Sequence, residues 1–204
     1  MENRITWQVT KGCERLSGGC DSCPSYLHSV KTGDDYSVQL CPEQLALPTM
    51  VNTPKIFAVA FGSDLFHESV PLDYIKKVFA VMNDTPHHTY ELATKRIERA
   101  SVLAERLEWK DNIRMGVVVE SGEYDWRIKF LQSMPSSYKF ISAAPMLGEM
   151  GDVDLTHIDY VGASKETWGL KRLFKKEWTD NLSKLCERQG VMFTMDSQYL
   201  WSVE

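Results

Sequence analysis

Short apolar runs alternate with amphipathic stretches along this chain, and the alternation restricts its fold more than any other feature. Residues 56–61 (IFAVAF) are continuously apolar, as expected of a strand buried on both faces, and residues 115–119 (MGVVV) have the same character. Further strands are predicted at 5–9, 89–93, 140–144, 158–162 and 191–195. Because strands separated by helices or long loops usually pair in parallel, we predict a series of βαβ units.

Four amphipathic helices are predicted between these strands. Residues 71–82 begin with proline, which is common at the first helical position, and their apolar side chains recur at helical spacing. The other helices are predicted at 95–107, 124–134 and 175–188, the last closed by Gly190 as a left-handed cap.

The spacing of the strands, roughly 25 to 30 residues, is typical of a (β/α) barrel. The 204 residues are fewer than the about 250 usual for a closed eight-fold barrel. We therefore predict an α/β protein, with residues 1–204 forming a single domain built as an incomplete barrel of about six units. A doubly wound open sheet is the alternative.

Composition excludes several classes of protein. The net charge of −5 disfavours tight non-specific binding to DNA, which needs a clustered basic surface. No apolar run reaches the roughly 18 residues of a membrane span, and the N-terminus lacks the pattern of a signal peptide. We therefore expect a cytoplasmic protein with no membrane partner. Its five cysteines would stay reduced there, as metal ligands or core residues.

A glycine-rich loop after the first predicted strand carries three cysteines, Cys13, Cys20 and Cys23, in the pattern C-x6-C-x2-C. Three thiolates can hold three irons of a [4Fe–4S] cluster and leave the fourth iron open. S-adenosylmethionine can chelate such an iron through its amino and carboxylate groups. A zinc site with Cys41 or His28 as fourth ligand is the main alternative, and unligated thiols are a third.

Polar residues follow several other predicted strands. The carboxyl ends of parallel strands meet at one edge of a sheet, so these residues are expected to share a site with the cysteines. Glu120 and Lys95 are predicted to be catalytic, and four others are predicted to bind the cofactor. These four are Asp64, His67, Arg96 and Ser121.

Each of these assignments has a structural alternative. His67 can instead order its loop, and Lys95 and Arg96 can be surface charges at the start of a helix. Weaker candidates are Ser142, Arg127 and Asp196, and two tryptophans that could stack on a base, Trp168 and Trp201.

One basic cluster lies near the C-terminus, interleaved with apolar residues. Helical periodicity favours its interpretation as the solvated face of an amphipathic helix. The cluster comprises Lys171, Arg172, Lys175 and Lys176.

Four segments carry a resemblance to a known family. Trp7, residues 11–13 (KGC) and the later cysteines form its opening pattern, and residues 63–71 (SDLFHESVP) match its most specific signature. Residues 93–99 (ATKRIER) and 116–121 (GVVVES) match two more. On these segments, and over nearly its whole length, the chain resembles a phage-encoded radical S-adenosylmethionine family.

The resemblance implies an incomplete barrel of the radical S-adenosylmethionine type, with a [4Fe–4S] cluster, S-adenosylmethionine and an electron donor. It also implies isomerase activity in thymidine hypermodification of phage DNA, a means of restriction evasion. There the attachment of an amino acid to a thymine base moves from nitrogen to α-carbon, on the nucleotide or in DNA.

The sequence departs from the family pattern at two strand ends. Ala144-Pro145 stands where the family has Glu-Pro, and residues 162–164 (GAS) stand where it has GGES. The lost carboxylate leaves a cluster-binding homologue without catalysis as one alternative. A zinc-stabilised binding module is the other.

Overall fold

The computed structural model describes residues 3–195, and a seven-stranded parallel sheet forms its centre. In chain order the strands are β1 (Arg4–Trp7), β2 (Thr10–Lys11), β3 (Gln39–Leu40), β4 (Ile56–Val59), β5 (Thr89–Thr94), β6 (Ile113–Val118), β7 (Tyr138–Ala143), β8 (Tyr160–Ala163) and β9 (Met192–Met195). Strands β2 and β3 pair antiparallel as a separate short ribbon. The other seven form the sheet in the order β1-β4-β5-β6-β7-β8-β9.

The order of the sheet follows the order of the chain without reversal. Every neighbouring pair is parallel, for example β5 with β6, where Ala93 is opposite Gly116. A doubly wound sheet would reverse its strand order at a switch point, so this alternative is wrong. The α/β class is confirmed. Within residues 3–195 no pairing joins β1 to β9, and closure or curvature into an incomplete barrel stays a prediction.

Within residues 3–195 five α-helices accompany the sheet: α1 (Pro24–Thr32), α2 (Leu72–Asp84), α3 (Ile97–Ala104), α4 (Arg127–Gln132) and α5 (Lys176–Gln189). Helix α2 buries Ile75, Val78, Phe79 and Met82, whose spacing places them on one face. Helices α3 and α4 are shorter than predicted, and α1 was not predicted. No helix in the described part of the chain is long and apolar enough to cross a membrane.

The core lies between one face of the sheet and helices α2 to α5. Alternate strand residues, such as Leu92, Met115 and Ile141, pack there with the apolar faces of the helices. On the opposite face Gly116 leaves room for the ring of Phe140. A Cβ at Gly116 would lie 2.2 Å from that ring.

The opposite face of the sheet also holds a buried ion cluster. Glu91 in β5 is 1% exposed, and its carboxylate oxygens lie 2.7 Å from Arg4 Nη1 and 3.4 Å from Arg114 Nη1. Arg4 lies in β1 and Arg114 in β6, so this cluster ties three strands together.

The segment between β8 and α5 differs from its prediction. Helix α5 begins at Lys176, and the cap residue before it, Lys175, has extended backbone angles. Lys171 and Arg172 therefore lie in a loop, and the predicted amphipathic helix face is wrong for them. Tertiary contacts of Arg172, described below, hold this segment out of helical conformation.

Candidate functional site

A cavity of about 290 Å³ opens at the carboxyl ends of the central strands. Its walls come from the segments that follow β4, β5, β7 and β8 and from the cysteine loop. Polar lining residues include Ser63, Asp64, Thr94, Lys95, Arg96, Ser164, Lys165 and Glu166, together with the three cysteines of the loop. The cavity thus lies at the edge of the sheet where a site was predicted.

Cys13, Cys20 and Cys23 all line this cavity, each partly buried. Cys20 lies in a 3-10 turn, Gly18–Ser22, and Cys23 directly precedes helix α1. The Cys20 amide donates to the Ser17 carbonyl, and the Cys23 amide donates to the Cys20 carbonyl. These turns position Cys20 and Cys23, whereas Cys13 is held by its amide, which donates to the Tyr36 carbonyl at 3.2 Å.

The spacing of the three sulfurs bears on which group they could hold. They do not form a set in which all lie within 4.8 Å of one another, whereas another trio within residues 3–195 does. A single tetrahedral zinc needs such a compact set. Neither Cys41 nor His28 lines the cavity to complete a zinc site.

Two cations lie beside the thiols. Lys95 Nζ is 3.2 Å from Cys20 Sγ, and Arg96 Nη1 is 3.6 Å from Cys13 Sγ. Burial opposes ionisation of Cys20, but the Lys95 ammonium and nearby backbone hydrogen bonds bring its pKa below the ordinary value. Burial, with the Asp64 carboxylate, raises the pKa of Cys13 to about 11 despite Arg96.

Lys95 also organises a polar cluster with Ser17 and Glu120. Its Nζ donates to Ser17 Oγ and to Glu120 Oε1, both at 2.7 Å. Glu120 is fully buried, and its Oε2 has no hydrogen-bond partner within the described residues. Gly19 leaves room for this carboxylate, because a Cβ there would lie 1.8 Å from Glu120 Oε1.

A second polar cluster surrounds Asp64 and Arg96. Thr94 Oγ1 lies 2.8 Å from Asp64 Oδ1, to which the Phe66 amide also donates. Arg96 donates through Nη1 to Asp64 Oδ2 at 3.3 Å and through Nε to Glu68 at 2.8 Å. Arg96 Nη2 is buried without a hydrogen-bond partner in residues 3–195.

His67 is buried beside this second cluster and orders its own loop. The Ser69 amide donates to His67 Nδ1 at 3.1 Å, so a neutral ring carries its proton on Nε2. Burial and the Arg96 charge lower the pKa of His67, which favours this neutral form. Among the described residues Nε2 has no hydrogen-bond partner and is therefore a free donor. His67 can therefore order its own loop through Nδ1 and still bind a ligand through Nε2.

Glu14, His67 and Glu68 form the compact trio of potential metal ligands. The guanidinium of Arg96 already neutralises it, since Arg96 contacts Glu68 and lies 3.9 Å from Glu14. A divalent cation there would be repelled by this buried positive charge. The trio is better described as an ion-pair cluster.

Several predicted residues do not line the cavity. Glu120 and His67 are buried outside the lining, and Glu120 reaches it only through its contact with Lys95. Ser121 packs against Gly148, and Ser142 is buried in β7. Arg127 is buried and donates to the Val118 carbonyl at 2.8 Å, a structural role. Trp168 does line the cavity. Asp196 and Trp201 lie outside the described residues.

Three residues at the site were not predicted. Tyr36, from the segment before β3, places its hydroxyl 3.9 Å from Cys23 Sγ. Burial and then the neighbouring thiols raise the pKa of Tyr36. Ser17 accepts from Lys95, 78 residues away, and Glu166 pairs with Arg172 of its own loop, which in turn donates to the Gly18 carbonyl. No local sequence pattern predicts a site role for Tyr36 or Glu166. For Ser17, its position within the cysteine loop was a signal that could have identified it as a site residue.

The fold and the site define an α/β protein with a thiol-lined cavity at the carboxyl edge of a parallel sheet. The chain belongs to the family described as "Protein of unknown function (DUF5131)", which matches residues 3–203. Searches of curated proteins and of solved structures found no match. The family description states no activity, so a function must be argued from the site.

Proposed function

We propose that this protein is a radical S-adenosylmethionine enzyme that binds a [4Fe–4S] cluster through Cys13, Cys20 and Cys23. One observation carries the proposal: three thiols, and no fourth cysteine of the described chain, line one cavity at the carboxyl edge of the sheet. Three thiolates leave one iron of a four-iron cluster without a protein ligand. The unreversed strand order supports an incomplete barrel of the same enzyme class.

The charges around the thiols fit such a group. A four-iron cluster with three thiolates carries net negative charge, and Lys95 and Arg96 each contact one of the ligand thiols. At this short range the positive charges of Lys95 and Arg96 stabilise the negative charge of a cluster bound to the three thiolates. The two cations also pair with Glu120 and Asp64, which keeps their side chains in place.

The unpartnered buried atoms fit a zwitterionic ligand. Within the part of the chain that the structure describes, Glu120 Oε2 accepts no hydrogen bond and His67 Nε2 and Arg96 Nη2 donate none. The carboxylate of Glu14 lies 3.9 Å from both donors, beyond hydrogen-bond distance. Leaving buried polar atoms unpaired costs about 1 to 3 kcal/mol each, so such atoms indicate a missing partner. S-adenosylmethionine has both kinds of group that these atoms lack as partners: an ammonium that can donate to Glu120 Oε2, and a carboxylate that can accept from His67 Nε2 and Arg96 Nη2.

We assign a role in the proposed reaction to each residue of the site. The cluster and S-adenosylmethionine, when bound, supply a deoxyadenosyl radical that removes a hydrogen atom from the substrate. Glu120 accepts a hydrogen bond from an ammonium or ribose hydroxyl group, and Lys95 holds Glu120 in position. Arg96 and His67 donate hydrogen bonds to the anionic end of the ligand. Asp64, which also lines the cavity, orients Arg96 and accepts hydrogen bonds from the adenosyl or ammonium part of the ligand. Ser121, which lies outside the lining, contributes through its neighbour Glu120.

The substrate we propose is an amino-acid-modified thymine of phage DNA hypermodification, on the nucleotide or in DNA, isomerised from the N-linked to the C-linked form. This part rests on the sequence resemblance. Removing a glycyl α-hydrogen would leave a stabilised carbon radical. That carbon would bond to the thymine methylene as the methylene–nitrogen bond breaks, and the resulting nitrogen-centred radical would regain a hydrogen atom from deoxyadenosine, which completes the isomerisation. At Ala144-Pro145 the cavity wall lacks the carboxylate of the family pattern, and this segment would contact the substrate or cofactor differently.

The experiment is anaerobic purification, reconstitution with iron and sulfide, and addition of reductant and S-adenosylmethionine, with 5′-deoxyadenosine as the readout. We expect about four irons per chain and release of deoxyadenosine. Replacing Cys13, Cys20 or Cys23 by alanine should lower the iron content and abolish release. Cys41→Ala is the matched control, because Cys41 is buried outside the cavity.

The other outcomes also decide between the alternatives. A colourless protein with one tightly bound zinc would overturn the proposal in favour of a binding module. Four irons without deoxyadenosine, even after adding glycyl-modified thymidine, would instead identify a cluster-binding protein without catalysis.

A further inference from the structure

The loop at 164–175, between β8 and α5, has the reverse of the usual surface pattern. Three large apolar side chains face solvent: Trp168 is 51% exposed, Leu170 64% and Leu173 78%. In the same loop Glu166 is buried, 7% exposed, and it pairs with Arg172. Glu166 thus lies inside, and three of the four large apolar side chains of the loop lie outside; the fourth, Phe174, packs against the core.

The loop is held in this arrangement by the cysteine loop. Arg172 Nη2 donates to the Gly18 carbonyl at 2.7 Å, and the Leu170 amide donates to Ser22 Oγ at 3.0 Å. Gly169 has a φ of +64°, and a Cβ there would lie 2.5 Å from Ser22 Oγ. These contacts anchor the backbone while leaving the apolar side chains without cover from residues 3–195.

The charge of this region is opposite to that of the whole chain. Residues 165–176 contain five cationic side chains and one acidic one, whereas the chain has a net charge of −5. Lys165, Lys171 and Lys175 are exposed. Lys171 also has a φ of +49°, a strained conformation for a residue other than glycine.

Trp168 connects this surface to the cavity. It lines the cavity wall together with Lys165, and about half of its side chain still faces solvent. An exposed aromatic ring flanked by lysines is the combination that binds single-stranded nucleic acid, since every base can stack and every phosphate is anionic.

We infer that loop 164–175 is a docking surface for a single strand of DNA, or for a strand opened at the target base. Trp168 stacks on a base at the mouth of the cavity, and Lys171 and Lys175 contact the flanking phosphates. The inference rests on the proposed function and extends it, because it makes polymerised DNA rather than a free nucleotide the substrate. A base in duplex DNA would have to be flipped out to reach the cavity.

The test is fluorescence anisotropy of a labelled single-stranded oligothymidylate titrated with the reconstituted protein at several salt concentrations. Trp168→Ala should weaken binding roughly 5- to 100-fold, the range for one lost base stack, and Trp168→Phe should restore most of it. The double variant Lys171→Glu and Lys175→Glu should lower the salt slope by roughly 1.4, for two phosphate contacts. Lys76→Glu with Lys77→Glu makes the same change of charge on the exposed face of α2 and serves as control.

Equal affinity of the loop variants and the α2 control would overturn the inference. So would binding of wild-type protein to anionic vesicles but not to the oligonucleotide, which would identify the loop as a membrane contact. Deoxyadenosine release by the wild-type protein without DNA is measured on the same preparation. Release of deoxyadenosine without DNA tests the proposed radical activity alone, whereas the anisotropy titration tests DNA binding by loop 164–175. Failure of one hypothesis can therefore be distinguished from failure of the other.

Discussion

Two buried glutamates on this sheet have opposite surroundings. Glu91 is 1% exposed, and an arginine nitrogen lies within 3.4 Å of each of its carboxylate oxygens. Glu120 is 0% exposed, but only Oε1 is paired, with Lys95, and Oε2 has no partner in the described chain. Among residues 3–195, by hydrogen-bond geometry Oε2 is unpartnered in both residues, and the difference lies in the ion pairs: each oxygen of Glu91 has an arginine beside it, whereas Glu120 has a cation on Oε1 only and keeps capacity for a ligand.

Position along the strand explains the difference. Glu91 lies within β5, where Arg4 of β1 and Arg114 of β6 can reach it across the sheet. Glu120 lies two residues beyond the end of β6, beside the cysteine loop and Lys95 of the cavity wall. Burial raises the pKa of Glu91, and its two arginines oppose the shift. Glu91 is thus a structural residue, and Glu120 is the candidate functional one.

The largest expected effect on stability is at Glu91. Glu91→Gln leaves Arg4 and Arg114 without their carboxylate, and losing one member of a buried ion cluster costs about 3 to 5 kcal/mol. Urea unfolding of the variant should show this loss relative to Glu98→Gln, a change at an exposed position of α3. A loss equal to that of the control would mean that the cluster contributes nothing to folding.

Glu120→Gln should act on activity instead. Only one cation loses its counter-charge in this variant, against two in Glu91→Gln, and Lys95 keeps Ser17 Oγ as an acceptor, so stability should fall less than for Glu91→Gln. Loss of the negative acceptor should lower deoxyadenosine release about 10²- to 10³-fold, the range for one preorganised polar group. Glu123→Gln changes an exposed glutamate in the following turn and is the control. Release within a factor of three of wild type would contradict a role for Glu120.

Gly19→Ala tests the same carboxylate without changing it. The new Cβ would lie 1.8 Å from Glu120 Oε1, so the carboxylate must move. We expect a loss of about 1 to 3 kcal/mol in the free energy of unfolding and a lower release of deoxyadenosine with iron content retained. Gly151→Ala is the control, because its Cβ would have no neighbour within 4 Å. Loss of iron in Gly19→Ala would show that the change distorts the cysteine loop itself.

The smallest expected effect concerns the buried carboxylate of the docking loop. Burial opposes ionisation of Glu166, but hydrogen bonds from Arg172 lower its pKa to about 2, from an ordinary value of 4.5. Its stabilising contribution is therefore present above about pH 4.5 and is lost as the pH falls toward 2. Glu166→Gln should be less stable than wild type by about 1 kcal/mol at pH 7, and this difference should shrink below pH 4.5. A difference that stays constant across this range, measured by chemical unfolding, would show that Arg172 does not stabilise the ionised form.

Elements with strong local patterns were predicted well. Strands β4 and β6 are continuous apolar runs, and α2 has four core residues at helical spacing, so each was found within a few residues of its bounds. Helix α1 was missed because its residues have no comparable apolar face. The loop at 164–175 was wrongly predicted as partly helical, because its periodicity resembles that of an amphipathic helix while its conformation depends on Arg172 bonding to Gly18.

The sequence by itself determined that polar residues would follow the strands and that three cysteines would lie on one loop. Parallel strands bring their carboxyl ends together, so this much follows from chain order alone. Only the tertiary structure decided which partners each residue has. Lys95 bonds to Ser17, Cys20 and Glu120, residues that are 78, 75 and 25 positions away. Such pairings depend on which loops the packed core brings within hydrogen-bond distance, and no local pattern in the chain records them.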